Sequence, residues 1–285
     1  MNNGFLAGGQ DNGKETMKTS GIITLTTDFG LRDPYVAIMK GIILSINPEA
    51  RIVDVSHQVP PGALMHAANV IKDTITYFPH GTINVVVVDP GVGGQRRPVA
   101  IETENYFFIG PDNGIFWPII EADRSPTAIH LEEKKYFLSP VGNTFHGRDI
   151  FAPVAAHISR GIDIRKMGPV IRDPVALSIP RPEIKGDVLC GEIIRVDNFG
   201  NLITNINRTD MEAFLQSATP RISIRELTIE DVRHVYTDVP RGELLALYGS
   251  MNRLEIAVRE GSASDILAIT AGEAIGMKIA VSKQY

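Results

Sequence analysis

Asn84 to Pro98 reads N-V-V-V-V-D-P-G-V-G-G-Q-R-R-P, and this stretch decides the fold. Four consecutive valines are β-branched and apolar on both sides, the pattern of a strand buried on both faces of a sheet. The strand stops at Asp89-Pro90-Gly91, and two more glycines and two arginines follow. In open α/β sheets, ligands bind at the carboxyl ends of the strands. A carboxylate at the last strand position and arginines across a glycine loop place opposite charges around such a crevice. The same residues also make an ordinary solvated turn.

Working outward, the same chemistry recurs. Ile22 to Thr27 reads as a buried strand ending at Asp28-Phe29-Gly30. Tyr106 to Ile109 ends at Gly110-Pro111-Asp112-Asn113-Gly114. Between these lie a helix from Tyr35 to Ile46, a strand over Arg51 to Ser56, a helix over Ala63 to Phe78 and a strand over Val99 to Thr103. Asp33 sits where an N-cap belongs, with Pro34 at the first helical position. Strands alternating with helices in this order predict a mostly parallel, doubly wound α/β sheet over residues 21–178. Three strand ends, Asp28, Asp89 and Asp112-Asn113, would then share one edge. Farther on, Thr144-Phe145-His146-Gly147-Arg148-Asp149 opens a helix through Ile158. A histidine at a helix start favours a neutral imidazole, although a lone histidine is more often a satisfied structural residue.

Asp173 to Gly186 carries three prolines and reads as a linker. Beyond it, over 179–285, short alternating strands dominate: Gly191–Val196, Arg221–Ile224, Glu243–Tyr248, Arg253–Val258 and Met277–Val281. With one modest helix near Thr209 to Gln216, this is an all-β, barrel-like domain. Its polar turns, Asp197-Asn198-Phe199-Gly200-Asn201 and Gly249-Ser250-Met251-Asn252, are good turn formers in any case.

The 285 residues, 44% hydrophobic and 21% charged, describe an ordinary globular protein. A net charge of −5 argues against a nucleic-acid binder. The single cysteine, Cys190, reads as a small core residue and excludes an intrachain disulfide. No apolar run is long enough for a membrane span, and residues 1–20 lack the apolar core of a secretory signal. They read as a mobile tail on a cytoplasmic protein. No cluster with metal-ligand spacing such as H-E-x-x-H occurs, so neither metal nor cofactor is expected.

The motif set T-D-F-G-x-x-D, D-P-G-V-G-x-x-R-R, P-D-N-G, F-H-G-R-D and D-x-F-G-N-x-x-T-N-I resembles the S-adenosyl-L-methionine (SAM) hydroxide adenosyltransferases, relatives of the fluorinases and chlorinases. The resemblance covers both domains, Gly21 to Val281, in the family's order. It implies an enzyme that splits SAM and water into adenosine and methionine. It also implies a homotrimer whose substrate lies between one subunit's N-terminal domain and the next subunit's C-terminal domain. An Asp-Arg-His triad would fall on Asp89, Arg96 and His146. Asp28 would hold the ribose hydroxyls, and Asp33 and Asp197 the methionine ammonium. Asn201 and Ser250 would line that end, Asn113 and Tyr236 would hold the nucleoside, and Phe199 would lie beside the substrate. Val92 and Gly147 stand where halogenating relatives place hydroxyl residues, which favours water over halide. Gly62 replaces an aromatic ring common in relatives, and Met251 replaces an arginine of the fluorinase. A chlorinase-like halogenase and a non-catalytic adenosine or SAM binder are the alternative readings. A phosphate site on Gly91, Gly93 and Gly94 would need G-x-G-x-x-G after the first strand or G-K-[ST], and the chain has neither.

Overall fold

The computed structural model describes residues 17–284, divided into two compact units that meet in sequence at Leu177 and Ser178. Residues 1–16, most of the expected tail, lie outside the described residues. Residues 17–20 are held in place: the Ser20 N–H donates to Gly81 O at 3.1 Å, and Met17 packs on the core.

The first unit is built on seven strands: β1 (Ile22–Thr27), β2 (Arg51–Ser56), β3 (Ile83–Val87), β4 (Pro98–Glu102), β5 (Phe107–Pro111), β6 (Thr127–His130) and β7 (Val170–Ile171). They lie in the order β2-β1-β3-β5-β4-β6-β7. Pairing is parallel from β2 to β5 and antiparallel from β5 to β7. The mostly parallel sheet expected from the sequence is therefore parallel in only one half. The cause is local: β4 and β5 are joined by Thr103 to Tyr106, too short for the crossover that parallel neighbours require.

Strand β3 shows why the valine run is diagnostic. Val85 and Val87 enter one apolar cluster, with Val36, Met39 and Ile43 of α1 (Tyr35–Ile46). Val86 and Val88 enter another, with Ala67 and Ile71 of α2 (Leu64–Thr74). Alternate side chains serve opposite faces, so both faces of the strand are covered. Helix α3 (Trp117–Ala122) adds Ile120 to the second cluster. A single π-helical turn (Gly147–Phe151) leads into α4 (Ala152–Ser159), which packs in the first cluster.

The second unit is an eight-stranded sheet of β8 (Glu183–Lys185), β9 (Val188–Val196), β10 (Leu202–Asn207), β11 (Thr219–Ile224), β12 (Leu227–Glu230), β13 (Leu244–Tyr248), β14 (Arg253–Val258) and β15 (Lys278–Gln284). The order β12-β11-β15-β9-β10-β14-β13 nearly closes on itself, since an isolated bridge joins Arg233, just past β12, to Leu247 of β13. Helix α5 (Arg208–Leu215) begins with a capping box in which Asn207 accepts from the Asp210 N–H at 2.8 Å. Cys190 is half-buried on β9, paired between β8 and β15, and not in the core as its neighbours suggested. Among the described residues, no helix is long and apolar enough to cross a membrane.

Candidate active site

Because β1, β3 and β5 are adjacent and parallel, their carboxyl ends share one edge of the sheet. That edge carries Asp28, Asp89 and Asn113, brought together from 28, 89 and 113 in sequence. Asn113 bridges two of these ends by donating Nδ2 to Val88 O at 2.9 Å. Asp28 Oδ2 accepts the Gly62 N–H at 3.0 Å, and Gly62 lies against Pro90. Behind Asp28, Thr27 Oγ1 is 2.9 Å from His57 Nδ1, and His57 Nε2 is 3.1 Å from Asp54, itself paired with Lys40 at 2.6 Å.

Asp89 and Arg96 face each other across the glycine loop. Arg96 Nε lies 3.0 Å from both carboxylate oxygens, and Nη2 reaches Oδ2 at 2.5 Å. Their side chains are 4% and 9% exposed, so the charge pair is largely withdrawn from water. The same Nη2 is 2.6 Å from His146 Nδ1, and the guanidinium rests over the Phe151 ring. Asp89, Arg96 and His146 thus converge in that order around one nitrogen. Burial and the Arg96 charge push the His146 pKa down, and Asp89, Asp149 and the Gly142 backbone act against them. Arg96 makes a protonated imidazole repulsive, so His146 is neutral at pH 7.

Two features hold this geometry, and neither was among the residues singled out from the sequence. Gly93 has φ +73°, and a Cβ there would sit 2.1 Å from Asn143 O, so only glycine lets the 89–97 loop touch the segment before His146. Asp149 is fully buried and accepts the Gly142 N–H at 2.8 Å and Arg148 Nε at 2.5 Å. It folds residues 142–149 back on themselves and so fixes His146. The carboxylate in F-H-G-R-D was a signal for this, because a buried charge needs donors.

Arg97 behaves differently from its neighbour. It binds Asp112 (Nε–Oδ2 2.8 Å) and Asp173 (Nη1–Oδ1 2.8 Å). Asp112 also accepts the Val175 N–H, so of the Asp112-Asn113 pair only Asn113 belongs to the strand-edge group. Asp33 does not cap α1: the helix starts at Tyr35, Pro34 is the cap residue, and no side chain bonds the first turn. Its exposed carboxylate is left unengaged by the helix.

In the second unit, Asp197 Oδ1 accepts the N–H groups of Phe199 and Asn201, each at 2.9 Å, and Oδ2 accepts Asn201 Nδ2 at 2.9 Å. Asn201 Nδ2 also lies 3.5 Å from the Tyr236 hydroxyl. Burial, then Glu255 and Asp197, push the Tyr236 pKa up. Ser250 is exposed, and Phe199 is 75% exposed at the tip of its turn.

Residues 23–168 match the SAM hydroxide adenosyltransferase N-terminal domain, and residues 191–276 match the C-terminal domain of the same family. The chain belongs to the SAM hydroxide adenosyltransferase family. It is 35% identical over 255 residues to the (R)-S-adenosyl-L-methionine hydrolase of Salinispora tropica, covering 88% of this chain and 95% of the relative. The Thermus thermophilus protein of the same name is 36% identical, covering 86% and 95%. A fluorinase from Actinoplanes is 32% identical over 67% of this chain and 73% of its own. Among solved structures, an uncharacterised conserved protein from Thermotoga maritima superposes with a TM-score of 0.84 at 33% identity, covering 91% of this chain and 99% of that one.

Proposed function

We propose that this enzyme hydrolyses SAM to adenosine and L-methionine. The single observation carrying that reading is the convergence of Asp89 and His146 on Arg96, in a chain so similar along its length to named SAM hydrolases.

The sulfonium of SAM makes ribose C5′ electrophilic, and the departing thioether is neutral. The leaving group needs no acid, and the step needs no metal or organic cofactor. The obstacle is the nucleophile, since water ionises only near pKa 15.7. Arg96 stabilises hydroxide character, and Asp89 takes the proton. Oxygen bonds to C5′ as the C5′–sulfur bond breaks, sulfur keeps the electron pair, and the proton leaves through Asp89 to solvent. Attack of an anion on a cation cancels charge, so a dry pocket favours it. His146, accepting from Arg96 through Nδ1, holds the guanidinium in place.

Asp28 would bind the ribose hydroxyls, with Asn113 and Tyr236 at the nucleoside. Asp33, Asp197, Asn201 and Ser250 would serve the amino-acid end, and Phe199 would lie along the substrate. These residues are divided between the two units, as a site shared by neighbouring subunits of a homotrimer would require, and the enzyme would act in the cytoplasm. Val92 and Gly147 disfavour the chlorinase-like alternative. Incubation with SAM, with and without chloride, tests the reading: adenosine and methionine in both arms are expected, whereas 5′-chloro-5′-deoxyadenosine or no product would overturn it.

A further inference from the structure

His57 stands just past the end of β2, in a place that a regular strand would not give it. Strands β1 and β2 pair residue for residue from Ile22–Arg51 to Leu25–Asp54, and then Thr26 pairs with Ser56 instead of Val55. The extra residue on β2 is a bulge, and beyond it every side chain changes face. Without it Asp54 and His57, three residues apart, would point to opposite sides of the sheet. With it they share the side that faces α1. His57 Nε2 comes to 3.1 Å from Asp54 Oδ1, and Asp54 meets Lys40 of α1 at 2.6 Å. The same slip sets His57 beside Thr27, with 2.9 Å between Thr27 Oγ1 and His57 Nδ1.

Both Thr27 and His57 are buried. Although close, the Nε2 contact with Asp54 lacks hydrogen-bond geometry, so the bond to Thr27 is the directional one that the ring makes. Thr27 Oγ1 accepts the Phe29 N–H at 3.2 Å, and its own proton goes to Nδ1. The His57 backbone adds a second tie, its carbonyl accepting the Gly30 N–H at 2.7 Å. Asp28 is thus bracketed. His57 holds Thr27 before it and Gly30 after it, and Gly62 of the same loop as His57 donates to the Asp28 carboxylate at 3.0 Å.

We propose that His57 is a positioning residue for substrate binding: through Thr27 and Gly30 it sets the turn that presents Asp28 at the site edge. The ligand rests on the proposed hydrolysis of SAM; the placement rests on the bulge and the ties just described. Among the described residues, no hydrogen bond joins His57 to Asp89, Arg96 or His146. The grip on substrate therefore depends on His57, and the displacement step does not.

Three variants of the whole protein test this. Thr27→Val keeps the branched shape and removes the hydroxyl. His57→Gln removes the acceptor at Nδ1, whereas His57→Asn keeps an acceptor oxygen at the same place on the side chain. The first two raise the SAM KM and the adenosine Kd about tenfold, as for one buried hydrogen bond left unmade, and kcat at saturating SAM holds. His57→Asn restores both constants. In the first two variants the Gly62 amide exchanges faster with deuterium, while the Gly142 amide, tied to Asp149, does not. Wild-type KM and Gly62 exchange in folded Thr27→Val would overturn the proposal, as would equal losses in His57→Asn and His57→Gln. If no variant folds, exchange in the wild type decides: adenosine slows the Gly30 and Gly62 amides together, and slowing at Gly62 alone overturns the proposal. Failure of the hydrolase reading is distinct, because the wild type then forms no adenosine from SAM while Gly62 exchange in the variants still reports the hold on Asp28.

Discussion

Arg96 donates to His146, and a guanidinium has no lone pair with which to accept in return. His146 Nδ1 is therefore the acceptor, and the neutral ring carries its proton on Nε2. That tautomer leaves His146 no free basic nitrogen, so Asp89 is the only one of the three placed to take a proton.

Replacing Asp89 with asparagine keeps the shape and removes the base. SAM binding persists and turnover falls by at least ~100-fold, the usual scale for a lost general base. Single-turnover adenosine release measures this, and a rate near wild type would rule out Asp89 as the base.

Protonating His146 would set a cation against Arg96, and the depressed pKa records that cost. Turnover should therefore hold as pH falls through 6.5, the ordinary histidine value, and decline only at more acid pH. An acid limb at or above the ordinary value, absent from His146→Gln, would contradict the assignment.

Arg97 and Arg96 are adjacent with separate tasks. Arg97→Ala leaves the buried carboxylate of Asp112 without its cation, at a cost of about 3–5 kcal/mol. Urea unfolding should show that loss, with kcat per folded molecule preserved. Arg96→Lys should do the reverse: it loses the fork that spans Asp89 and His146 and costs more in kcat than in stability.

Gly93→Ala meets backbone, not a yielding side chain. We expect a loss on the order of 1–3 kcal/mol from the strained conformation. Turnover should fall too, because Asp89, Arg96 and His146 sit on the two segments that would be pushed apart. A variant with an unchanged urea midpoint would show that the close approach is not needed.

Glu255 links stability to pH. Its folded pKa, about 7, lies above its ordinary 4.5, so the folded state binds the proton more tightly. Stability from this group is full below 4.5 and is lost as pH rises through about 7. The difference in melting temperature between wild type and Glu255→Gln should follow that course; a constant difference would exclude it.

The strands buried on both faces were legible, because β1 and β3 have no polar alternation to mislead. The strand-end residues Asp28, Asp89 and Asn113 were legible for the same reason. The antiparallel turn from β4 to β5 was overlooked, although the residues left between Val99–Thr103 and Tyr106–Ile109 are too few for a parallel crossover. Strand β10 followed directly on the Asp197–Asn201 turn, and β6 was too short to show a period. Glu255 was missed because a charge in an alternating strand ordinarily faces water; it lies on the face of β14 that carries Ala257, opposite the barrel core of Leu254, Ile256 and Val258, yet is still buried. Asp33 looked like a cap because Pro34 follows it, yet the helix begins one residue later.

The extra residue in the turn at Gly147–Phe151 has a consequence for descent. Each residue of a regular helix advances the chain by about 100°. Deleting one here would restore a regular helix and swing either His146 or the apolar stripe of α4 out of register. Along this lineage the length of the turn is closed to drift, as are Asp149, which holds the Gly142 N–H, and Phe151, which lies under Arg96.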